Sequence, residues 1–266
     1  MVAEVIEKLH YYCSNTTFLS IRQHKELWLT ALSLSNDRLE GRWALEQYLN
    51  LFQGDRARLR KSARVVIEAF LHGREALGIC FSEKEDLLSQ WRGYADDGCG
   101  VCITFSKEAL DQAVKDWAEE EEIRIAKVKY GRLAEHDFVK PIAEAFMNNI
   151  ENVNADGRFL SEHINHTDQK WRVASEFFEY KHPAFSEEAE WRIYSVVGLG
   201  SGSNLDHRVA GKLLSPYLRF PISLDAISFV TLGPNNRTPT DVAKAALARH
   251  KCNAGVVRSA ASYRER

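Results

Sequence analysis

The sequence has no apolar run near the roughly 20 residues that a membrane-spanning helix needs. Its first residues, Met1 to Lys8 with Glu4 and Glu7, lack the basic start and apolar core of a secretory signal. A cytoplasmic protein without membrane contact is therefore expected. Charge of either sign is not in excess. The 35 basic and 37 acidic residues leave a net −2, which argues against strong sequence-independent attraction to nucleic acid or lipid but leaves room for a local basic groove. Five cysteines, an odd number scattered along the chain, fit reduced thiols rather than a disulfide framework.

Signature motifs are missing as well. Cys99 and Cys102 form a CxxC with no second pair to complete a zinc site, on a segment expected to be a strand. Neither GxGxxG nor GxxxxGK[ST] is present, and the glycine-rich stretch from Gly198 to Ser203 reads as a mobile connection. GxSxG is absent, which disfavours a serine hydrolase. His163 and His166 stand three apart without an evident third ligand. The basic run Arg56, Arg58, Arg60, Lys61 and Arg64 reads as a solvated helix face.

With 45% apolar and 27% charged residues, 266 residues suffice for a full core, and a single α+β domain over 1–266 is expected. Strands are expected at Lys8 to Cys13, Glu26 to Thr30, Leu77 to Phe81, Ile123 to Tyr130, Glu190 to Val197, Ile227 to Leu232 and Ala254 to Arg258. A helix through Thr16 to His24 takes its cap from the Asn15-Thr16-Thr17 cluster, one after Ser106 runs through Trp117 to Glu122, and one runs from Thr238 to about His250. Helical insertions are expected at about 37–75 and 135–180. Strands separated by helices of unequal length, without repeats, favour a mixed or antiparallel central sheet over a doubly wound one.

The densest segment runs from Cys80 to Phe105. Ser82 followed by Glu85 has the form of a capping box, so a helix is expected to begin where the preceding strand ends. Leu87, Leu88, Trp91, Tyr94 and Ala95 would form its apolar face, with Asp86 and Gln90 on another edge. Further on, strand alternation in Glu190-Trp191-Arg192-Ile193-Tyr194 sets a carboxylate, a guanidinium and a phenol on one face. Asp86, Gln90 and Arg92 are expected to line a cleft opposite it.

These segments together resemble the bacterial domain-of-unknown-function family 2971 over nearly the whole chain. The matching stretches are Leu9 to Ser14, Leu27 to Thr30, Ser35-Asn36-Asp37 with Glu40, Cys80 to Glu83 through Asp86, Gln90 to Asp96, Gly100-Val101, Lys181 to Phe185 with Glu188, Glu190-Trp191-Arg192, and Leu232-Gly233-Pro234. The layout in turn resembles that of ADP-ribosyltransferases, which implies a split-sheet core and nicotinamide adenine dinucleotide (NAD) as substrate. In that superfamily an early strand supplies a histidine or arginine, a second strand an aromatic or small polar residue, and a late strand a glutamate. Here His10 or Tyr11, Trp28 or Thr30, and Glu190 stand in those places. Family members often read Tyr-His-Tyr where this chain reads His10-Tyr11-Tyr12, so the histidine position falls on Tyr11 unless the register shifts.

On this resemblance Glu190, His10 and Tyr11 form the catalytic set, and Trp28, Thr30, Ser82, Arg92, Tyr94 and Arg192 the dinucleotide-binding set. Arg92 or Arg192 would hold the pyrophosphate, and Tyr11, Tyr94 or Trp28 would stack on nicotinamide. The implied activity is transfer of ADP-ribose to a macromolecule, nucleic acid or protein, in phage defence or as a toxin with a neutralising antitoxin. Hydrolysis of the dinucleotide is the close variant. The alternative is a non-enzymatic binding module using the helix near Asp86 to Asp96. A third reading is metal-dependent nuclease action through Asp37, Glu40, Glu83 and Asp86.

Overall fold

In Glu26-Leu27-Trp28-Leu29-Thr30-Ala31 every second side chain, Leu27, Leu29 and Ala31, is buried and those between are half-buried, the two-residue period of a strand with one face on a core. The computed structural model describes residues 6–35, 42–50, 60, 61, 64, 68, 71–118, 122–131, 176–200 and 205–263. In chain order they form β1 (Lys8–Cys13), α1 (Asn15–His24), β2 (Glu26–Ala31), α2 (Arg42–Leu49), β3 (Arg74–Ser82), α3 (Leu88–Tyr94), β4 (Val101–Ser106) and α4 (Lys107–Trp117). There follow β5 (Ile123–Lys127), β6 (Lys129–Tyr130), β7 (Tyr180–Lys181), β8 (Glu190–Gly198), β9 (Asp206–Ala210), β10 (Leu213–Pro221), β11 (Ile227–Leu232), α5 (Thr240–Ala248) and β12 (Gly255–Arg258).

The result is an α+β fold around a mixed 10-stranded sheet, ordered β12-β11-β4-β1-β3-β2-β10-β9, with β8 and β5 branching from β3. Among the described residues, only β11 and β12 run parallel within it. One face carries the main core. Leu9, Leu29, Ile79, Ile103, Phe105 and Val230 meet Phe18 and Ile21 of α1, Leu110 and Val114 of α4, and Leu247 of α5. Each large aliphatic or aromatic side chain so buried contributes roughly 1.5–3 kcal/mol. The opposite face carries a smaller cluster, Tyr12, Trp91, Ala95 and Cys102, which docks α3.

Several boundaries move, each for a local reason. The cap of α1 is Ser14, whose hydroxyl accepts from the Thr17 amide, one residue ahead of the expected cluster. The capping box at Ser82 does not form. Ser82 ends β3 and pairs with Glu190 across the sheet, while its hydroxyl donates to the Glu188 carbonyl and accepts from the Lys84 amide. Asp86 then takes φ 55°, and the helix waits until Leu88. No side chain of the preceding residue caps it. Instead the Tyr12 phenol, reaching over from β1, donates to the Lys84 carbonyl and accepts from the Leu87 amide.

Ser106 does cap α4, as expected, but that helix ends at Trp117. The strand expected over Ile123 to Tyr130 breaks at Val128, whose amide donates to the Glu190 carbonyl, and α5 starts at Thr240 because Pro239 occupies the cap position. The hairpin of β9 and β10 has no counterpart among the expected strands. Residues 132–175, with His163 and His166, and most of the 37–75 insertion lie outside the described residues. Of the basic run, Arg64 pairs with Glu46 and Glu68 and Arg60 bonds Asn50, which is helix-surface pairing.

Two glycines allow the strands to close on each other. A Cβ on Gly100 would stand 2.2 Å from the Cys13 carbonyl oxygen, and one on Gly233 would stand 2.2 Å from that of Gly98. These close approaches let the Gly233 amide donate to Gly100 and the Asn236 side chain bridge Gly100 and Asn15. The Leu232-Gly233-Pro234 motif is thus a backbone junction under the start of α1.

Candidate active site

The distinctive geometry lies at β3. Along one edge it pairs with β8 from Arg74 to Ser82. Its other edge is divided. β1 holds it only at Ser82, opposite His10, and β2 holds it only at Gly78 and Leu77, opposite Thr30 and Ala31. Ile79, Cys80 and Phe81 have no strand partner on that edge among the described residues, so β1 and β2 diverge and the sheet forks. A cleft of about 590 Å³ opens there, within the size range of small-molecule sites. Its walls come from the end of β1, the first turns of α1, β2, β3 and β9.

At the Ser82 end stands a charged cluster. Lys181, only 3% exposed, places its Nζ 2.6 Å from Glu188 Oε2 and 2.9 Å from Glu190 Oε2. The other Glu190 oxygen accepts from Arg192 Nε at 2.5 Å, and Arg192 also donates to the Phe178 carbonyl. The short helix Pro183–Glu188 delivers Glu188, and Ala189 then turns with φ 44° so that Glu190 enters β8. The Tyr130 phenol accepts from the Glu190 amide at 3.0 Å. Burial alone would raise the Glu190 carboxyl, but the Arg192 guanidinium, the Lys181 ammonium and a Cys80 hydrogen bond outweigh it and hold its pKa well below the usual range. Burial works against the Lys181 charge in the same way and is overcome by Glu190 and Glu188, so its pKa lies above the ordinary lysine value. Both groups stay ionised at neutral pH.

Tyr94 caps the cluster by donating to Glu188 Oε1 at 3.1 Å. Burial and the Glu188 charge push its phenol up, so it remains a donor. Farther along, Trp28 stacks on Tyr217 at 4.4 Å and donates to Glu26, which orients its ring in the cleft wall.

The cleft brings together Tyr11, Trp28, Thr30, Tyr94 and Glu190 of the expected set. It leaves four outside. His10 points to the opposite side of β1 from Tyr11, is 5% exposed and shares a hydrogen bond with Thr104 Oγ1 at 3.0 Å. Burial lowers its pKa, so the ring is held neutral. Ser82 is spent on backbone groups, Arg192 lies beneath Glu190, and Arg92 is 62% exposed beside Asp97 and the Tyr263 ring. Gln90 lines the cleft, whereas Asp86 does not. The Asp86 carboxylate instead accepts from Trp91 Nε1, from Ser259 Oγ, and from the amides of Ala260 and Ala261, clamping the end of the chain. Glu83 bonds Trp191 Nε1 and Lys127, so the carboxylates of the nuclease reading that are described face different partners; Asp37 and Glu40 lie outside the described residues.

Lys181, Glu188 and Arg208 are cleft residues that sequence reasoning gave no chemical role. Lys181 and Glu188 lie in stretches that carry the family resemblance, which was the available signal, although their spacing from Glu190 does not by itself bring them together. Arg208 has no such signal, because the sequence of its hairpin does not read as a pair of strands.

Residues 90–193 match the family model described as "Protein of unknown function (DUF2971)". No curated protein and no solved structure matches the chain. The matched segment carries Gln90, Tyr94, Lys181, Glu188 and Glu190 of the cleft wall, with Arg192 behind Glu190.

Proposed function

We propose that the protein is an ADP-ribosyltransferase-like enzyme that takes NAD as substrate and transfers ADP-ribose to a macromolecule, with nucleic acid as the leading acceptor. The observation that carries this reading is the ionised Glu190 carboxylate fixed at one end of a cleft that forms where the sheet forks. Two carboxylates and one ammonium face the cleft there, and Arg192 behind Glu190 completes a neutral cluster whose carboxylates are fixed in place.

Cleavage of the bond between the ribose C1′ and the nicotinamide nitrogen sends the bonding pair to nicotinamide, which leaves neutral. Positive charge develops on C1′, and a fixed carboxylate in a water-poor site gains interaction energy as it appears. Little reorganisation is needed, because Lys181 and Arg192 already hold both Glu190 oxygens. A nucleophile of the acceptor, or water in the hydrolytic variant, then bonds to C1′ and releases its proton to solvent. Trp28 and Tyr11 offer aromatic faces to the cationic nicotinamide ring before the bond breaks.

The test is mass-spectrometric detection of nicotinamide release by the purified chain, with and without RNA, DNA and protein, compared with Glu190→Gln. Release that falls at least 100-fold in the variant supports the reading, and dependence on one added macromolecule names the acceptor. One observation favours a second reading. Both Glu190 oxygens are taken by Lys181 and Arg192 and the residue is 2% exposed, as in a site that binds without reacting. No release under any condition would select that binding module.

A further inference from the structure

The cleft has a second, chemically opposite end. Arg208 on β9 lines it, and the Arg208 Nε is buried with no hydrogen-bond partner. Among the described residues no carboxylate stands within ion-pair distance of this guanidinium. The neighbouring acid on its own strand, Asp206, is committed to Arg219 at 2.6 Å. Glu26, the one acid of β2 and part of the cleft wall, accepts from Trp28. Lys181 is neutralised by two carboxylates, so Arg208 is the cleft cation whose charge is not answered by the described residues.

Register places this charge away from the carboxylates. Asp206, Tyr217, Thr30, Gly78 and Tyr194 form one row across the sheet, and Arg208 lies beyond that row on the side opposite to Ser82 and Glu190. Side-chain hydroxyls of Thr16, Thr17 and Ser20 line the same cleft, and these are donors that suit phosphate oxygens. A buried guanidinium nitrogen without an acceptor is a standing desolvation cost, which a bidentate anion removes. The cleft is therefore bipolar, with carboxylates at one end, an unanswered guanidinium toward the other and hydroxyls along its wall.

We infer that Arg208, with the hydroxyls of α1, holds the pyrophosphate of a dinucleotide whose ribose lies at Glu190. The identity of the anion rests on the NAD reading of the cleft. Neither Arg92 nor Arg192 fills this role, since one is on the outer surface and the other is bonded beneath Glu190.

The experiment is calorimetric titration of the full chain with ADP-ribose, followed by competition with inorganic pyrophosphate. Wild type binds both, and Arg208→Gln weakens both by about 10- to 100-fold, as expected for loss of a charge-assisted contact. Lys212→Gln removes the same charge from the exposed turn of the same hairpin and leaves both affinities unchanged. Arg208→Lys keeps the charge without the fork and falls between; it carries the test should the Gln variant fail to fold. Equal binding by wild type and Arg208→Gln, or no binding of either probe to wild type, overturns the assignment. Pyrophosphate binding that depends on Arg208 without any nicotinamide release would sink the NAD reading and keep this site. Nicotinamide release with an unchanged KM in Arg208→Gln would do the reverse.

Discussion

Replacing Lys181 by Met isolates the energetics of the charged cluster. The substitution keeps most of the side-chain volume and removes one ammonium from between two carboxylates at 2.6 and 2.9 Å, in a site where the lysine and Glu190 side chains are each 3% exposed and Glu188 is 14% exposed. The cluster passes from neutral to one net negative charge. Breaking a buried ion pair on one side costs about 3–5 kcal/mol, because the remaining charge is left desolvated. At roughly 2.1 cal/mol/K of unfolding entropy per residue, a 266-residue chain loses about 5–9 °C in Tm. The same reasoning requires rescue. Lys181→Met with Glu188→Gln restores neutrality and should recover at least half of the loss, whereas a packing defect would not be recovered. The deficit should also narrow under acid, since the variant's carboxylates accept protons more readily than those of wild type. Thermal unfolding followed by circular dichroism at pH 7 and pH 4 measures all three. A single variant within about 2 °C of wild type, or a deficit untouched in the double variant, would refute the electrostatic account.

The pH dependence of stability has two limbs that can be assigned. Glu190 has a native pKa below its ordinary 4.5, so its contribution is present above that value and is lost as pH falls from about 4.5 toward the depressed native pKa; Glu190→Gln should flatten that limb in denaturant titrations. His10 is held neutral chiefly by burial, so the unfolded chain takes up its proton first as pH drops below 6.5 and stability declines from there; an unchanged slope in His10→Gln would contradict this. Asp86→Ala removes the acceptor of the Ala260 and Ala261 amides, and limited proteolysis should cut the last residues at least tenfold faster, with a loss of about 1–3 kcal/mol. Gly100→Ala puts a methyl against the Cys13 carbonyl and should cost about 1–3 kcal/mol or more by chemical denaturation; a neutral effect would show that β1 and β4 can separate there.

Much of the sheet was legible because its causes are local. Short runs rich in apolar residues at Lys8 to Cys13, Glu190 to Gly198 and Ile227 to Leu232 mark strands that place Leu9, Ile193 and Val230 in the main core, and the Ser106 cap needs only its own helix. The common face of Glu190 and Arg192 follows from the same two-residue period. The hairpin from Asp206 to Pro221 was not legible. Its exposed Val209, Leu213 and Leu214 and the two prolines, Pro216 and Pro221, hide the alternation, and β10 forms by pairing with β2 rather than by its own pattern. The Ser82 capping box failed for a related reason, since sheet pairing with Glu190 outcompeted a local cap.

The sequence by itself determined an α+β chain, its principal strands and a late-strand carboxylate, because those depend on period and neighbours alone. Tertiary structure alone decided the site. Tyr11 reaches the cleft and His10 does not because His10 is buried against Thr104, although Tyr12 on the same side of β1 also lines the cleft. Lys181 meets Glu188 and Glu190 through chain folding that no spacing rule dictates. Arg208 reaches the cleft only because β9 joins the sheet three strands from β3, and a contact of that kind is set by pairing over long sequence separation rather than by any pattern along the chain.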